Sequence, residues 1–213
     1  RTSRPPALNI GSYTVRQQGG NLTFGVPFSE IDTVYFGAGL EKTRLETDES
    51  SPTLYKQFVQ QNAKDANAKL TGVGEATTNA IPLTVAWGRD SRDSAITPTR
   101  GRYQRANLEV DLLGDSKYYR VVYEHQWYRP ITRWMTLALK GELDYGAGLG
   151  GHAYPVFKNF YGGGLGSVRV FEAGSLGPVD PTGSYIGGNR RFNTNAELYL
   201  PVPGTGNDRT LRW

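Results

Sequence analysis

The residues best suited to chemistry are one arginine and the glycines around it. The segment "FYGGGLGSVRVFEAGSLGP" spans residues 160–178 and places Arg169 between hydrophobic neighbours. Two kinds of chemistry fit this composition: a backbone cradle for phosphate, or a loop that folds back and docks its guanidinium on carboxylates. The segment lacks the Lys-Ser/Thr pair and the helix of a phosphate-binding loop, which favours the docked loop over the cradle. An ordinary flexible surface loop is the plain alternative. The six glycines are Gly162, Gly163, Gly164, Gly166, Gly174 and Gly177.

Other residues with catalytic potential are few. The chain has two histidines, His125 and His152, and no cysteine. No nucleophile motif accompanies His125, so we interpret it as a packed neighbour within a strand. The segment "GRDSRD" (88–93) does not match a calcium loop, so we interpret it as an ion-paired strand end. The segment "YGAGLGG" (145–151) lacks the strand–turn–helix context of a dinucleotide fingerprint. We therefore predict no enzyme activity, no metal and no cofactor.

The composition sets limits on class. The 213 residues carry a net charge of +4, with charges of both signs spread along the chain, so a nucleic-acid footprint is not indicated. No window approaches 18 consecutive apolar residues, which argues against a membrane-spanning helix. Strands of a membrane barrel alternate apolar and polar residues, so a mean hydropathy of −0.50 is compatible with them.

The elements that must position Arg169 are strands, because the dominant hydrophobic period is two. Short turns alternate with long connections near 46–75 and 148–195, which is typical of an up-and-down outer-membrane barrel. We predict about seven to eight strands of a larger antiparallel transmembrane β-barrel. The residues expected on the apolar, lipid-facing side are Leu22, Phe24, Val34, Phe36, Leu108, Val110, Leu137 and Leu139, and those expected inside are Glu109, Lys140, Glu142 and Glu197.

One segment departs from the strand period. In residues 51–70, Leu54, Tyr55, Phe58 and Val59 recur at helical spacing. The pattern predicts a short amphipathic helix inside a surface loop at 46–75. We interpret its apolar stripe as packing on neighbouring loops, with contact to a partner or to lipid head groups as the alternative.

Longer stretches carry a family resemblance. They are "GGNLTFGVPFSEIDTVYFGAGLE" (19–41), residues 87–131 from "WGRDSRD" to "YRPI", "YGAGLGGHAYPVFKNFYGGGLGSVRVFEAGSLGP" (145–178) and "GGNRRFNTNAELYLPVP" (187–203). Over nearly its whole length the chain resembles the BamA family of the bacterial outer-membrane barrel assembly machinery. The resemblance implies that residues 1–213 are part of one transmembrane barrel domain. The segment "RTLRW" (209–213) is expected to open a further strand.

The resemblance also implies a role for the long loop. In this family an extracellular loop with a Val-Arg-Gly-Phe/Tyr motif folds into the lumen, where its arginine meets acidic residues of the wall. The matching residues within 148–195 are Val168, Arg169, Val170 and Phe171. Arg169 is expected to contact Glu197 or an acidic residue beyond Trp213, with Val168 and Phe171 packed beside it and the six glycines giving flexibility. Val170 replaces the family glycine, which would strain the loop if that glycine has a positive φ.

The function implied by the resemblance is the folding and insertion of β-barrel proteins into the bacterial outer membrane. The expected partners are outer-membrane lipid, nascent outer-membrane proteins and other subunits of the assembly machinery, without nucleic acid. Two alternatives stay open. One is a two-partner secretion transporter that exports a cognate protein, and the other is a soluble β-sandwich that binds carbohydrate through exposed Tyr and Trp residues.

Overall fold

A computed structural model describes residues 13–200. The strands form one antiparallel sheet of order β1-β2-β4-β5-β6-β7-β8, with β3 also paired to β2. This single meander contains no second packed sheet within residues 13–200, unlike a β-sandwich. The elements are β1 (Tyr13–Pro27), β2 (Asp32–Thr47), α1 (Thr53–Asn62), α2 (Ala66–Thr71), β3 (Gly74–Ala80), β4 (Pro82–Asp90), β5 (Gly101–Asp111), β6 (Tyr118–Pro130), β7 (Thr136–Gly148), a 3-10 turn (Val156–Lys158) and β8 (Arg190–Tyr199).

None of the helices in residues 13–200 is both long enough and apolar enough to cross a membrane.

Strands β3 and β4 occupy one strand position. Both pair with β2 in a continuous register, with Glu41 opposite Ala80 and Ala38 opposite Leu83. The ladder breaks at Ile81 because the next residue, Pro82, has no N–H to donate. The eight strands therefore fill seven positions in the sheet, within the predicted number.

The register confirms the predicted separation of the two faces. Residues directly opposite each other share a face, and an apolar row runs Phe24, Phe36, Val85, Leu108 and Val121 across five strand positions. Phe24 is 69% exposed and Phe36 is 51% exposed, so this face is uncovered within the described part of the chain. The other expected apolar residues lie on the same face: Leu22, Val34, Val110, Leu137 and Leu139.

The opposite face is polar and holds the charged wall residues. Glu109 lies opposite Thr84 and Arg120, while Lys140, Glu142 and Glu197 project from the neighbouring strands β7 and β8 on the same side. The predicted inward positions are therefore confirmed as one face. The long connection after β7 covers this face.

The apolar core lies at the end of the sheet where the long connections meet. Helix α1 buries Tyr55, Phe58 and Val59 against Leu45 of β2 and Val15 of β1. This burial confirms that the helical stripe packs on its neighbours. The remaining members of the cluster are Ala63, Ala68, Ala76 and Val156.

The predicted boundaries of the two long connections need correction. The predicted 46–75 loop begins inside β2, ends inside β3, and contains two helices rather than one. The helices separate because Ala63 is extended and pairs with Ala76, and because Asp65 accepts a hydrogen bond from the Ala68 N–H to start α2. The predicted 148–195 loop is residues 149–189, since Arg190 onward pairs with β7. The segment 209–213 lies outside the described residues.

The two-faced sheet predicts opposite responses to the same substitution at adjacent positions. In the full-length protein, Val85→Arg places a charge on the apolar face and should lower the free energy of unfolding by about 2–4 kcal/mol in lipid vesicles. Thr84→Arg, one residue away, projects into an open depression of about 760 Å³ on the polar face and should cost much less. Denaturant titration measures both. Equal losses would contradict the assignment of the faces.

Candidate functional site

Residues 149–189, here called the interior loop, are fixed to the polar face by ion pairs. The first anchor is Lys158, whose Nζ lies 2.9 Å from Glu41 Oε2 and 3.2 Å from Glu109 Oε1. The Tyr118 hydroxyl donates a hydrogen bond of 2.5 Å to the same Glu109 oxygen. Glu41 is in β2 and Glu109 is in β5, with β4 between them. One side chain therefore connects the loop to two separated strands.

The surroundings of Lys158 make it difficult to replace. Its side chain is only 11% exposed, and two carboxylates share its single charge. Glu41 Oε1 also accepts hydrogen bonds from Gln17 at 3.2 Å and Thr43 at 3.1 Å. Without the ammonium group, the Glu41 and Glu109 carboxylates would lose the cation that they share, and among the described residues Arg120, opposite Glu109, forms no ion pair with either of them. Leaving a buried charge without its partner is costly.

The second anchor is Arg191 in β8. Its Nε lies 2.5 Å from Asp144 Oδ2 and its Nη2 lies 3.1 Å from Glu142 Oε2. Its Nη1 donates to the carbonyl oxygen of Tyr161 in the interior loop at 3.0 Å. The Asp144 side chain is fully buried. The planar guanidinium thus holds two wall carboxylates and the loop backbone at once, which a point charge cannot reproduce.

A paired backbone bridge closes the base of the loop next to this anchor. Phe160 and Gly188 exchange two N–H···O=C hydrogen bonds of 2.8 and 2.9 Å. The Phe160 ring is buried, with the Arg120 guanidinium 4.5 Å from its centroid. This cation–π contact covers the positive charge of a wall residue with a loop aromatic group.

The tip of the loop carries the predicted contact. Val168 to Phe171 form a turn in which the Phe171 N–H donates to the Val168 carbonyl at 3.2 Å. Arg169 Nη2 lies 2.9 Å from Glu197 Oε1, and Lys140 Nζ lies 3.6 Å from the other Glu197 oxygen. The structure therefore brings Arg169 and Glu197 together. Whether this pair acts as a latch stays a prediction.

The environment of the tip differs from the expectation of a buried arginine. Within the described chain the Arg169 side chain is 66% exposed, and Phe171 is 48% exposed rather than packed beside the ion pair. Val168 is half-buried. Val170 occupies the third turn position with 90% exposure, so the side chain that replaces the family glycine projects away from the loop.

The loop glycines have specific conformational roles. Gly163 and Gly164 have φ values of 102° and 87° where the two arms of the loop meet. Gly164 donates to the Phe171 carbonyl at 2.9 Å, and a Cβ atom at Gly163 would lie 2.2 Å from the Glu172 carbonyl oxygen. Gly174 and Gly177 also have positive φ, whereas Gly162 and Gly166 are not among the positive-φ glycines. Four of the six are therefore in conformations that favour glycine.

The interior loop also holds the helical connection between β2 and β3. Asp180 accepts a hydrogen bond of 3.0 Å from the Thr53 N–H at the start of α1. Burial alone would raise the pKa of Asp180, but hydrogen bonds from Thr182 and Thr53 more than offset it and lower that pKa. The Tyr55 and Tyr161 hydroxyls lie 2.9 Å apart. Burial is the main cause that raises the pKa of both tyrosines.

The anchors Lys158 and Arg191 were missed by sequence reasoning. A usable signal was present for Arg191, because Glu142 and Asp144 occupy alternate inward positions of one strand. Two carboxylates on one wall require a cation nearby, and the next strand supplies it directly opposite Asp144. No comparable signal marks Lys158, which lies in an irregular segment.

The remaining candidate residues have structural surroundings. His125 lies on the outer face with its Nδ1 3.3 Å from the Tyr123 hydroxyl. In the 88–93 segment Arg92 forms a bidentate pair with Asp90, and Asp93 accepts from backbone N–H groups of the following turn. Within residues 13–200, no group of three or more His, Cys, Asp or Glu side chains could hold a metal ion.

Comparison with known proteins identifies the family. The sequence profile of the Omp85 superfamily domain matches residues 7–213. The chain belongs to the Omp85 superfamily. It is 37% identical to the "Outer membrane protein assembly factor BamA" of Neisseria meningitidis over 98% of this chain and 26% of that protein. It is 28% identical to the BamA of Nitratidesulfovibrio vulgaris over 88% of this chain and 22% of that protein.

This Omp85 chain also resembles a mouse protein, "Sorting and assembly machinery component 50 homolog", with 32% identity over 54% of this chain and 24% of that protein. Its structure matches the crystal structure of BamA from Haemophilus ducreyi lacking POTRA domains 1–3, with a TM-score of 0.84 and 25% identity. The match covers 93% of this chain and 40% of that one. The predicted fold class, part of a transmembrane β-barrel, is confirmed. The chain spans about a quarter of the length of the BamA relatives.

The glycine geometry predicts different effects at two positions of the loop. Gly163→Ala should destabilise the loop by about 1–3 kcal/mol, because alanine disfavours positive φ and its Cβ would clash with a backbone oxygen. Gly166→Ala is the control, since a Cβ there meets nothing within 4 Å. Limited proteolysis of the full-length protein should show faster cleavage of the loop for Gly163→Ala alone. The same rate in both variants would mean that the conformation of Gly163 does not matter.

The lowered pKa of Asp180 predicts a pH-dependent contact between the loops. The contribution of Asp180 is complete above its ordinary pKa of about 3.9 and is lost as the pH falls through the lower folded value. Hydrogen exchange of α1 amides, corrected for intrinsic rates, measures the contact. At neutral pH Asp180→Asn should be less protected than the wild type, and the difference should vanish in acid. A difference independent of pH would contradict a role for the Asp180 carboxylate.

Proposed function

We propose that this chain is part of a bacterial outer-membrane protein that folds and inserts other β-barrel proteins. Membership of the Omp85 superfamily and the names of the BamA relatives support this proposal. The structural observation that carries it is the interior loop, which ion pairs join to β2, β5 and β8 and which accepts a further hydrogen bond from Arg191 of β8. A loop held in this way fixes the shape of the wall rather than leaving an open pore.

The domain assignment is part of the same proposal. Residues 1–213 belong to one barrel domain, residues 48–73 form a surface connection with helical structure, and the long loop carries the Val168–Phe171 motif. The apolar outer face would contact outer-membrane lipid. The expected protein partners are nascent outer-membrane proteins and other subunits of an assembly machinery, and nucleic acid is not among them.

The proposed mechanism requires no covalent step. Unpaired backbone groups are costly in lipid, so an incoming strand gains most by pairing with an existing strand edge. A barrel that thins the bilayer locally and opens a seam would provide such an edge. The contribution of the described residues is rigidity, because the ionic anchors keep one side of the barrel in register while another side opens. We accordingly propose no catalytic residue and no cofactor.

The anchors should contribute unequally to this rigidity. The Arg169–Glu197 pair is largely exposed on the arginine side, and exposed ion pairs contribute about 0–1 kcal/mol. Arg191 is 27% exposed and pairs with the fully buried Asp144. Loss of one partner of a buried pair costs on the order of 3–5 kcal/mol, because the other charge is left unpaired. Arg191 is therefore expected to be the stronger structural anchor, and Arg169 the more easily released contact.

Substitutions in the full-length protein test the function. In cells depleted of the wild type, Arg191→Ala should strongly reduce insertion of a reporter barrel and expose the interior loop to protease. Arg169→Ala should have a smaller effect, and Arg169→Lys should also be impaired because lysine lacks the planar fork. Arg190→Ala is the matched control, since Arg190 precedes Arg191 but lies on the outer face over Tyr145.

The two measurements separate structure from function. Reduced loop protection together with reduced insertion supports the proposal that the anchored loop serves assembly. Normal insertion despite a released loop in both Arg191→Ala and Arg169→Ala would show that the loop is not needed. Failure of the wild-type full-length protein to insert any reporter would reject the assembly function itself.

A further inference from the structure

The outer face changes from apolar to positively charged at the end of the sheet where the short turns lie. Strands β4 and β6 end there, and β5 and β7 begin there. The apolar rows give way to arginines, with Arg89 in β4, Arg102 in β5 and Arg129 in β6. Register places all three on the apolar side, since Arg89 lies opposite Gln104, Arg102 opposite Trp127, and Arg129 opposite Leu137.

These arginines line one open depression of about 800 Å³, here called the arginine depression. Arg102 and Arg129 are exposed, and so is Arg100 in the adjoining turn. The residues that line it include Arg89, Arg100, Arg102, Gln104, Trp127 and Arg129.

The guanidinium groups have few anionic partners. Arg89 Nη1 lies 3.5 Å from Asp32 Oδ2, and this is a long contact shared with the Trp87 indole N–H, which donates to the other carboxylate oxygen at 3.2 Å. Within residues 13–200, Arg100, Arg102 and Arg129 form no ion pair within 4.0 Å. The nearby carboxylates are otherwise engaged: Asp90 pairs with Arg92, and Asp93 binds the turn backbone. The depression therefore has a net positive charge.

The position of the depression along the strands indicates which kind of anion can reach it. Arg102 is six residues from Leu108 along β5, so it lies about 20 Å from the middle of the apolar face along the strand. Because barrel strands are tilted, the vertical distance is shorter and corresponds to the head-group level of a bilayer. Trp127 lies directly opposite Arg102 on the same face, at a level where amphipathic rings are enriched at membrane interfaces.

We infer that the arginine depression binds the head group of an anionic phospholipid in the membrane leaflet on the short-turn side. Guanidinium groups bind phosphate oxygens through paired, charge-assisted hydrogen bonds. The Trp127 ring contacts the glycerol and upper acyl region. Gln104 also lines the depression, and its Nε2 donates to the Tyr123 hydroxyl at 3.0 Å. This inference rests on the proposed membrane location but not on the proposed assembly function.

A matched pair of variants tests the site in the full-length protein. Arg102→Gln removes one depression charge, whereas Arg105→Gln removes one from the same strand but on the inner face, where it lines a different depression. Each protein is reconstituted in phosphatidylcholine vesicles with a minor fraction of phosphatidylglycerol. Native mass spectrometry then counts the phosphatidylglycerol molecules retained after mild detergent extraction.

Arg102→Gln should reduce retention of phosphatidylglycerol about three- to tenfold, and the Arg102→Gln/Arg129→Gln double variant should reduce it further. Arg105→Gln should match the wild type. Heat-modifiable gel mobility verifies that each barrel is folded before it is compared. Equal retention in the folded Arg102→Gln and Arg105→Gln variants would overturn the site.

Two further arms distinguish other sources of negative charge. Inorganic phosphate in excess should not displace the lipid, because it lacks the acyl chains held beside the apolar face. Displacement by phosphate alone would assign the depression to free anions and overturn the lipid proposal. Binding of an acidic peptide that depends on Arg102, without any change in lipid retention, would instead assign it to a protein partner.

Discussion

Asp144 is a carboxylate buried in a β-strand, and its negative charge needs compensation from the structure around it. Its partner Arg191 arrives from the neighbouring strand, and the remaining donors of that guanidinium reach Glu142 and the Tyr161 carbonyl. The position of the interior loop thus follows from an electrostatic need of the wall. Loop and wall cannot rearrange independently, because any separation leaves charge uncompensated in a poorly hydrated space.

The need to pair each buried charge becomes weaker toward the loop tip, because the cations there are more exposed. Lys158 is nearly buried and serves two acids, whereas Arg169 is mostly exposed and serves one. The gradient gives the loop a fixed base and a more easily detached tip. The apolar cluster under α1 adds a second, uncharged attachment through Tyr55 and Val156. Ionic and hydrophobic contacts therefore hold different parts of one loop.

Much of the fold could be predicted, because apolar and polar residues alternate along a strand that has one apolar face and one polar face. The alternation around Leu108 and Glu109 placed both residues correctly without any structure. The contact between Arg169 and Glu197 was anticipated from the glycine-rich segment, the inward position of Glu197 and the family resemblance together. Lys158 could not be found, because an irregular segment has no period and its partners are distant in sequence. The exposure of Phe171 likewise depends on tertiary packing that local pattern does not record.

The interruption at Pro82 has a consequence for the shape of the rim. Strand β3 continues for seven residues beyond the break, roughly 20 Å along its axis, while β5 ends opposite Pro82. The barrel edge is consequently tall on one side and low on the next. The connection after β5 leans on the tall side, where the Asn79 N–H donates to Asp115 at 2.7 Å. Large molecules that approach from the long-loop side therefore meet an edge of uneven height. They come nearest to the bilayer at the lower part of this edge, beside Leu112 and Leu113.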